Sequence, residues 1–255
     1  MGCRKGTLKG IDTGRWRGII FGPKMKIVIL LLLGAGLLTG CVLASDGELT
    51  MTSEKQFTFL ALGDSYTIGQ GVADPERWPV QLAAVLRAQG IPMGEPAIIA
   101  RTGWTTGELL AALEDGYYGE TYDLVGVLIG VNDQFRGYPI AQYQEEFGTL
   151  LTAAIAAAGG RSEHVIVLSI PDWGVTPFAE GADRANIAAQ IDAFNAVNRA
   201  ESLAVGVQYF DITPSTRPPV MDASMLAEDG LHPGGAMYAL WVEEVLPYVL
   251  GLFAD

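Results

Sequence analysis

From about residue 56 onward, short apolar runs alternate with longer segments in which apolar residues recur at helical spacing. Apolar runs of about four to eight residues that end at glycine or polar residues are typical of buried strands, and helical spacing is typical of amphipathic helices. The predicted strands cover 57–62, 97–100, 123–129, 164–170 and 207–211; the predicted helices cover 78–89, 105–114, 139–158, 186–204 and 234–253. This alternation predicts an α/β domain with a parallel sheet covered by helices on both faces.

The first 41 residues have a different pattern. Seven cationic residues and one acidic residue precede the 14-residue apolar run Ile27–Gly40. This run is shorter than the ~20 residues needed to cross a bilayer. A basic start and a short apolar core are typical of a secretory signal. The four residues that end at Cys41 resemble the cleavage box of bacterial lipoproteins, in which this cysteine becomes the lipidated first residue. Met25 is then the more natural start, and an uncleaved short membrane anchor is the alternative.

We therefore predict three parts for the chain. Residues 1–41 form a signal or lipoprotein leader, with 1–24 as an upstream extension, and the polar, acidic segment 42–55 forms a tether. Residues 56–255 form one domain of about 200 residues, a size that supports a single core. We expect an exported protein at the cell envelope, anchored to a membrane through Cys41 and facing the periplasm or the exterior.

Charge and cysteine usage exclude several classes of function. Of 16 Lys and Arg residues seven precede Cys41, and of 29 Asp and Glu residues one does, which leaves nine cations against 28 acids and a formal charge of −19. Such a field repels nucleic acid, so we expect no nucleic-acid partner. The only cysteines are Cys3 and Cys41, so the domain has no thiol chemistry. Two histidines and no cysteine cluster predict no metal site of the zinc type.

Polar residues follow three of the predicted strands. Gly63-Asp64-Ser65 follows the first strand, Gly103 lies just beyond the second, and Asn132 follows the third. The carboxyl ends of parallel strands meet at one edge of a sheet, where open α/β sheets have their binding crevice. Ser65 at such a turn is either a nucleophile or an ordinary helix N-cap.

A serine nucleophile needs a base, a group that orients the base, and donors for the developing oxyanion. Asp229 and His232 lie three positions apart just before the last predicted helix, so a single turn supplies both an orienting carboxylate and a base. The other histidine, His164, begins a strand at the opposite end of the sheet, and we interpret it as structural.

These blocks, Gly63-Asp64-Ser65-Tyr66, Gly103, Gly130-Val131-Asn132-Asp133 and Asp229-Gly230-Leu231-His232, resemble the SGNH hydrolases, also called GDSL esterases and lipases. They occur in the family's order, and the resemblance covers 56–255. It implies a three-layer α/β/α sandwich with a five-stranded parallel sheet in flavodoxin-like order, and it implies carboxylic ester hydrolysis without a metal or organic cofactor.

The resemblance also implies a role for each matching residue. Ser65 is the nucleophile, His232 the general base and acid, and Asp229 the carboxylate that orients the imidazole. The oxyanion hole consists of the Ser65 N–H, the Gly103 N–H and the Asn132 side-chain amide. Asp64 and Asp133 lie beside these residues, and we expect both to brace the turns rather than to act in the chemistry.

The substrate is less well defined by the sequence. Four aromatic residues near strand ends are candidates for lining a substrate pocket or, alternatively, for closing the core: Trp104, Phe135, Trp173 and Phe178. Segment 171–178 is a candidate for one wall. Connections after the strands look short, which favours a compact esterase acting on small or lysophospholipid-type esters. The alternatives are a carbohydrate O-acetylesterase and a non-catalytic binding lipoprotein of the same fold.

Overall fold

A five-stranded parallel sheet forms the centre of the computed structural model, which describes residues 56–114, 120–217 and 223–254. The predicted leader and tether lie outside these residues. The strands are β1 (Phe59–Gly63), β2 (Ala97–Ala100), β3 (Leu124–Leu128), β4 (Val165–Leu168) and β5 (Gln208–Phe210). Their order is β2-β1-β3-β4-β5 and every neighbouring pair is parallel. Strands β1, β3 and β4 are buried along their whole length, as expected for strands covered on both faces.

Two layers of helices enclose the sheet. The helices are α1 (Ser65–Ile68), α2 (Trp78–Ala88), α3 (Thr106–Glu114), α4 (Val131–Phe135), α5 (Ile140–Ala157), α6 (Arg184–Ala204) and α7 (Gly235–Leu252). Helix α2 packs against α7, whereas α5 packs against both α3 and α6. Within the described ranges, no helix combines the length and the apolar character needed to span a membrane. The α/β sandwich with a five-stranded parallel sheet is therefore confirmed.

The structure adds features that the hydropathy pattern did not predict. Helices α1 and α4 have only four and five residues, too short to show a helical period. Helix α6 begins two residues earlier than predicted, because the Asp183 side chain accepts a hydrogen bond from the Asn186 N–H at 3.0 Å and caps the helix there. The connection between β4 and α6 is as long as the predicted bounds allow, but it contains two 3-10 turns that the pattern did not predict, Trp173–Val175 and Pro177–Ala179.

The strand order determines where a site can form. The chain moves from β1 outward to β2 and then returns to β3 on the other side of β1, and this reversal opens a crevice at the carboxyl ends of β1 and β3. At the end of β1, a Cβ on Gly63 would lie 2.4 Å from the Leu128 carbonyl oxygen and 2.2 Å from Thr67 Oγ1. Only glycine allows this close packing, which brings Ser65 next to the residues that follow β3.

Candidate active site

Ser65 is the first residue of α1, directly after the turn that ends β1. The helix is capped by Asp64, whose Oδ1 accepts a hydrogen bond from the Tyr66 N–H at 2.9 Å. The first N–H groups of a helix have no partner within the helix, so the Ser65 N–H is available to a bound group. The Ser65 residue is only 5% exposed, and it borders the cavity described below.

Asp229 and His232 form a hydrogen-bonded pair within one turn. The distance between His232 Nδ1 and Asp229 Oδ2 is 2.5 Å. The second carboxylate oxygen, Oδ1, accepts the backbone N–H groups of Leu231 at 3.0 Å and His232 at 2.9 Å. Partial burial raises the pKa of Asp229, but the hydrogen bonds from His232 and Leu231 outweigh it and the pKa lies below its usual value. The carboxylate therefore stays charged and holds Nδ1, which leaves Nε2 for proton transfer.

Asn132 is tied to the turn that follows β2. Its Nδ2 donates to the Trp104 carbonyl oxygen at 2.9 Å, and the guanidinium of Arg136 donates to the Gly103 carbonyl oxygen at 2.5 Å. Gly103 has a φ of +82°, a conformation that glycine adopts without strain. These two hydrogen bonds fix the turn at Gly103 against α4, so the backbone at Gly103 and the Asn132 amide have a defined separation.

Asp64 and Asp133 are both fully buried. Asp133 Oδ2 accepts the Thr106 N–H at 3.0 Å and the Thr106 hydroxyl at 3.2 Å, and burial raises the pKa of Asp133 to about 6. Burial, together with the charge of Asp133, raises the pKa of Asp64 to about 8. These contacts agree with the bracing role expected for both residues.

One cavity of about 150 Å³ collects most of the predicted residues. Its polar lining consists of Ser65, Asn132 and His232, and its apolar lining consists of Tyr66, Val131, Phe135, Trp173, Phe178 and Leu231. Three of the four predicted aromatic residues therefore meet here. The centroid of the Trp173 ring lies 5.4 Å from that of Phe135 and 6.1 Å from that of Phe178.

Three predicted residues lie outside this lining: Asp229, Gly103 and Trp104. Asp229 reaches the site through its hydrogen bond to His232. Trp104 is partly buried and packs against the hydrophobic core, as the alternative interpretation of the aromatics expected. Gly103 contributes backbone only, through the turn described above. A larger open cavity of about 420 Å³ lies between α6 and β5, but it contains none of the predicted site residues. His164 binds the Asp123 carbonyl oxygen through Nδ1 at 2.6 Å just before β4, in agreement with a structural role.

The sequence interpretation missed the residues that hold the cavity walls in place. Gln134 accepts the Trp173 indole N–H at 2.8 Å and donates to Gln190 Oε1 at 2.7 Å, so it links α4, the connection after β4 and α6. Tyr66 packs edge-to-face against His232, with ring centroids 5.7 Å apart. Tyr66 belongs to the first of the quoted blocks and Gln134 directly follows the block that ends at Asp133, but a sequence does not show in which direction such side chains point.

Comparison with known proteins identifies the family and the fold. The profile of the family described as "GDSL-like Lipase/Acylhydrolase family" matches residues 61–240, which is well over half of the chain. The chain belongs to this family. The GDSL-like hydrolases are carboxylic ester hydrolases, so the sequence-based assignment to this enzyme class is confirmed and the non-catalytic binding lipoprotein is set aside.

Solved structures share the fold of this GDSL-like hydrolase. TesA matches with a TM-score of 0.60 and 24% identity, over 76% of this chain and 99% of its own. A lipase/acylhydrolase from Enterococcus faecalis has the same TM-score, 0.60, and 24% identity, over 78% and 98%. Axe2, an acetylxylan esterase from Geobacillus stearothermophilus, has a TM-score of 0.60 and 18% identity, over 76% and 94%. No curated protein matches the sequence.

Proposed function

We propose that this protein is a serine esterase in which Ser65 is the nucleophile, His232 the general base and acid, and Asp229 the group that orients His232. The observation that carries this proposal is the shared cavity: Ser65 and His232 line the same small space, and His232 Nδ1 is held by a carboxylate at 2.5 Å. A hydroxyl, an oriented imidazole and a charged carboxylate in this arrangement are the parts that acyl transfer to serine requires.

The proposed reaction has two steps. In the first, the Ser65 hydroxyl oxygen bonds to the ester carbonyl carbon while His232 Nε2 takes the hydroxyl proton; the C–O bond to the alcohol then breaks, and His232 returns this proton to the leaving alcohol. In the second, a water molecule gives a proton to His232 and attacks the acyl-enzyme, and the acid leaves as Ser65 regains its proton. The Asp229 carboxylate stabilises the imidazolium that exists in both steps.

Donors for the oxyanion come from three elements in this proposal: the Ser65 N–H at the start of α1, the Gly103 N–H and the Asn132 side-chain amide. Asn132 already uses Nδ2 to donate to the Trp104 carbonyl, and this nitrogen carries a second proton. The hydrogen bond to Trp104 fixes the amide plane, so the second N–H has a constant direction. Fixed, uncharged donors stabilise a charge that exists only in the transition state.

The apolar part of the cavity supports a small acyl group as the substrate's buried portion. Val131, Trp173 and Leu231 line it, and its volume of about 150 Å³ equals that of cavities that hold one benzene molecule. We therefore propose small carboxylic esters, including lysophospholipid-type esters with short acyl groups, as substrates.

The proposal is tested with the full chain and a series of p-nitrophenyl esters. Ser65→Ala should abolish hydrolysis, because the nucleophile is removed, while far-UV circular dichroism and the melting temperature stay close to those of the wild type. Ser162→Ala is the matched control, since Ser162 lies in the turn before β4, at the opposite end of the sheet. Activity of the Ser65→Ala protein within tenfold of the wild type would refute the assignment.

A carbohydrate O-acetylesterase is the second candidate, and the exposed rings at the cavity favour it. Phe135 is 56% exposed and Phe178 is 52% exposed, and rings in this position offer a surface for a sugar. A fold neighbour is an acetylxylan esterase. Acetate release from an acetylated xylo-oligosaccharide at a rate above that for p-nitrophenyl butyrate, lost in Ser65→Ala, would establish this function. The reverse preference would establish the simple esterase.

We also propose that the protein acts at the cell envelope, attached to a membrane through a lipid on Cys41. The support is the basic, apolar leader and the cleavage box that ends at Cys41. In cells fed a labelled fatty acid, the wild-type protein should carry label and fractionate with membranes, whereas Cys41→Ser should carry none. Equal labelling of both proteins would refute the anchor.

A further inference from the structure

A second, smaller cavity lies behind the active-site cavity. It has a volume of about 20 Å³, which is space for roughly one water molecule. Three side chains line both cavities and therefore separate them: Tyr66, Trp173 and Leu231. We call these three residues the partition. The remaining lining of the inner cavity comes from both apolar and polar side chains, among them Pro233, Met237 and Thr216.

Each member of the partition is held by contacts outside the cavities. The Trp173 indole N–H donates to Gln134 Oε1 at 2.8 Å. The Tyr66 ring packs edge-to-face on Trp241, with centroids 6.5 Å apart. The Leu231 backbone N–H is bound by Asp229, so the side chain starts from the turn that carries His232. The partition is thus a fixed wall, and the active-site cavity ends there.

We propose that this partition is the closed end of an acyl-binding cavity and that it limits the acyl group to about six carbons. This inference rests on the proposed esterase function. The limit follows from the volume: the active-site cavity of about 150 Å³ matches cavities that hold benzene, a molecule of six carbons. Trp173 and Leu231 are then the residues that determine acyl-chain length, and Gln134 is a positioning residue that acts through Trp173.

The cavity suits the acyl group better than the alcohol for a chemical reason. The acyl group stays bonded to Ser65 through both steps, whereas the alcohol must leave after the first. Phe135 and Phe178, which are more than half exposed, lie on the open side of the cavity and give the alcohol a route to solvent. The partition closes the other side of the cavity. That side suits the acyl group, because the acyl group stays bonded to Ser65 while the alcohol leaves.

The test measures kcat/KM for p-nitrophenyl esters from acetate to dodecanoate, using the full chain. For the wild type, kcat/KM should fall beyond about six acyl carbons. In Trp173→Ala and Leu231→Ala the ratio of octanoate to butyrate kcat/KM should rise on the order of tenfold, because each methylene that becomes buried is worth about fourfold. Leu203→Ala, at an exposed leucine of α6 that lines neither of these two cavities, is the matched control, and its ratio should change less than threefold.

A second series keeps the butyryl group and varies the alcohol from methyl to octyl. The partition variants should leave the alcohol preference where the wild type has it. If the partition variants shift the alcohol preference but not the acyl preference, the proposal that this cavity binds the acyl group is wrong. If the variants fold and their octanoate-to-butyrate ratio is unchanged, the proposal that the partition limits acyl-chain length is wrong. Trp173→Phe and Leu231→Val are the more conservative variants if the alanine proteins do not fold. Absence of Ser65-dependent hydrolysis in the wild type would instead refute the proposed function itself.

Discussion

Asp64 supplies a direct test of how burial controls charge beside the proposed nucleophile. Its Oδ1 caps α1, but its Oδ2 is buried without a hydrogen-bond partner among the described residues. Burial raises the pKa of Asp64 from 3.8 to about 8, with the charge of Asp133 adding to the effect and the hydrogen bond from Tyr66 opposing it. The folded protein therefore keeps a proton on Asp64 at neutral pH. Asp64→Asn keeps the capping oxygen and removes the titration.

The magnitude follows from the two pKa values. Between pH 3.8 and about 8 the folded state holds one more proton on Asp64 than the unfolded state does, so stability falls as pH rises through this window. One proton corresponds to at most ~1.4 kcal/mol of unfolding free energy per pH unit. Asp133, with a pKa of about 6, contributes with the same sign only below that pH. Between pH 6 and 8 the loss due to Asp64 is thus at most ~3 kcal/mol.

Urea unfolding of the wild type and of Asp64→Asn at pH 6, 7 and 8 measures this effect. The stability of the wild type relative to the variant should decline by up to ~3 kcal/mol across this range. The histidines are common to both proteins, so their titration largely cancels in the difference. Two stability curves that run parallel in pH would show that the folded and unfolded states bind equal protons at Asp64, and the burial argument would be wrong.

Three further predictions concern the oxyanion donors, the cavity wall and the core. Asn132→Ala should lower kcat for ester hydrolysis on the order of 100-fold, since one lost donor costs ~3 kcal/mol of barrier; an unchanged kcat would exclude the role. Gln134→Leu removes the acceptor of the Trp173 indole N–H, so urea unfolding should show a loss of ~1 kcal/mol and the octanoate-to-butyrate ratio should rise. In a Trp173→Phe background, which already lacks the indole N–H, the same substitution should cost less stability; an equal loss in both backgrounds would contradict the hydrogen bond's role. Gly126→Ala puts a Cβ 2.6 Å from the Trp78 ring and should lower the free energy of unfolding in urea by ~1–3 kcal/mol. Gly251→Ala is the control, because its Cβ meets no atom within 4 Å, and it should be close to neutral. Equal free energies of unfolding for the two variants would refute the close packing at Gly126.

The strands of the parallel sheet were predictable because local pattern and burial agree, whereas their order was an expectation from the family resemblance alone. Strand β2 has the predicted bounds, Ala97–Ala100, and β3 is one residue shorter at each end than the predicted run. Central strands of a parallel sheet need apolar side chains on both faces, so the chain has a continuous apolar run wherever such a strand occurs. The polar residues that follow β1 and β3 then had to meet at one edge.

The remainder depends on side-chain pairing between residues far apart in the chain. Asn195 occupies a polar position of α6, yet it is buried and pairs with both the N–H and the carbonyl of Ile170, at 2.8 and 3.0 Å. Of the aromatic candidates, Phe135, Trp173 and Phe178 line the cavity whereas Trp104 packs against the core. The four aromatic candidates all lie near strand ends, so their positions in the sequence do not distinguish those that line the cavity from the one that does not. What differs is the direction of each side chain, which irregular backbone after a strand determines.

The location of the proposed nucleophile Ser65 and the proposed base His232 makes ester hydrolysis a reporter of complete folding. Ser65 follows the first strand and His232 lies just before the last helix, so the cavity they share closes only when both ends of the domain have docked on the sheet. The Asp229–His232 pair, by contrast, is a contact within one turn and needs no other strand. During refolding, the recovery of ester hydrolysis should therefore lag behind the recovery of helical signal.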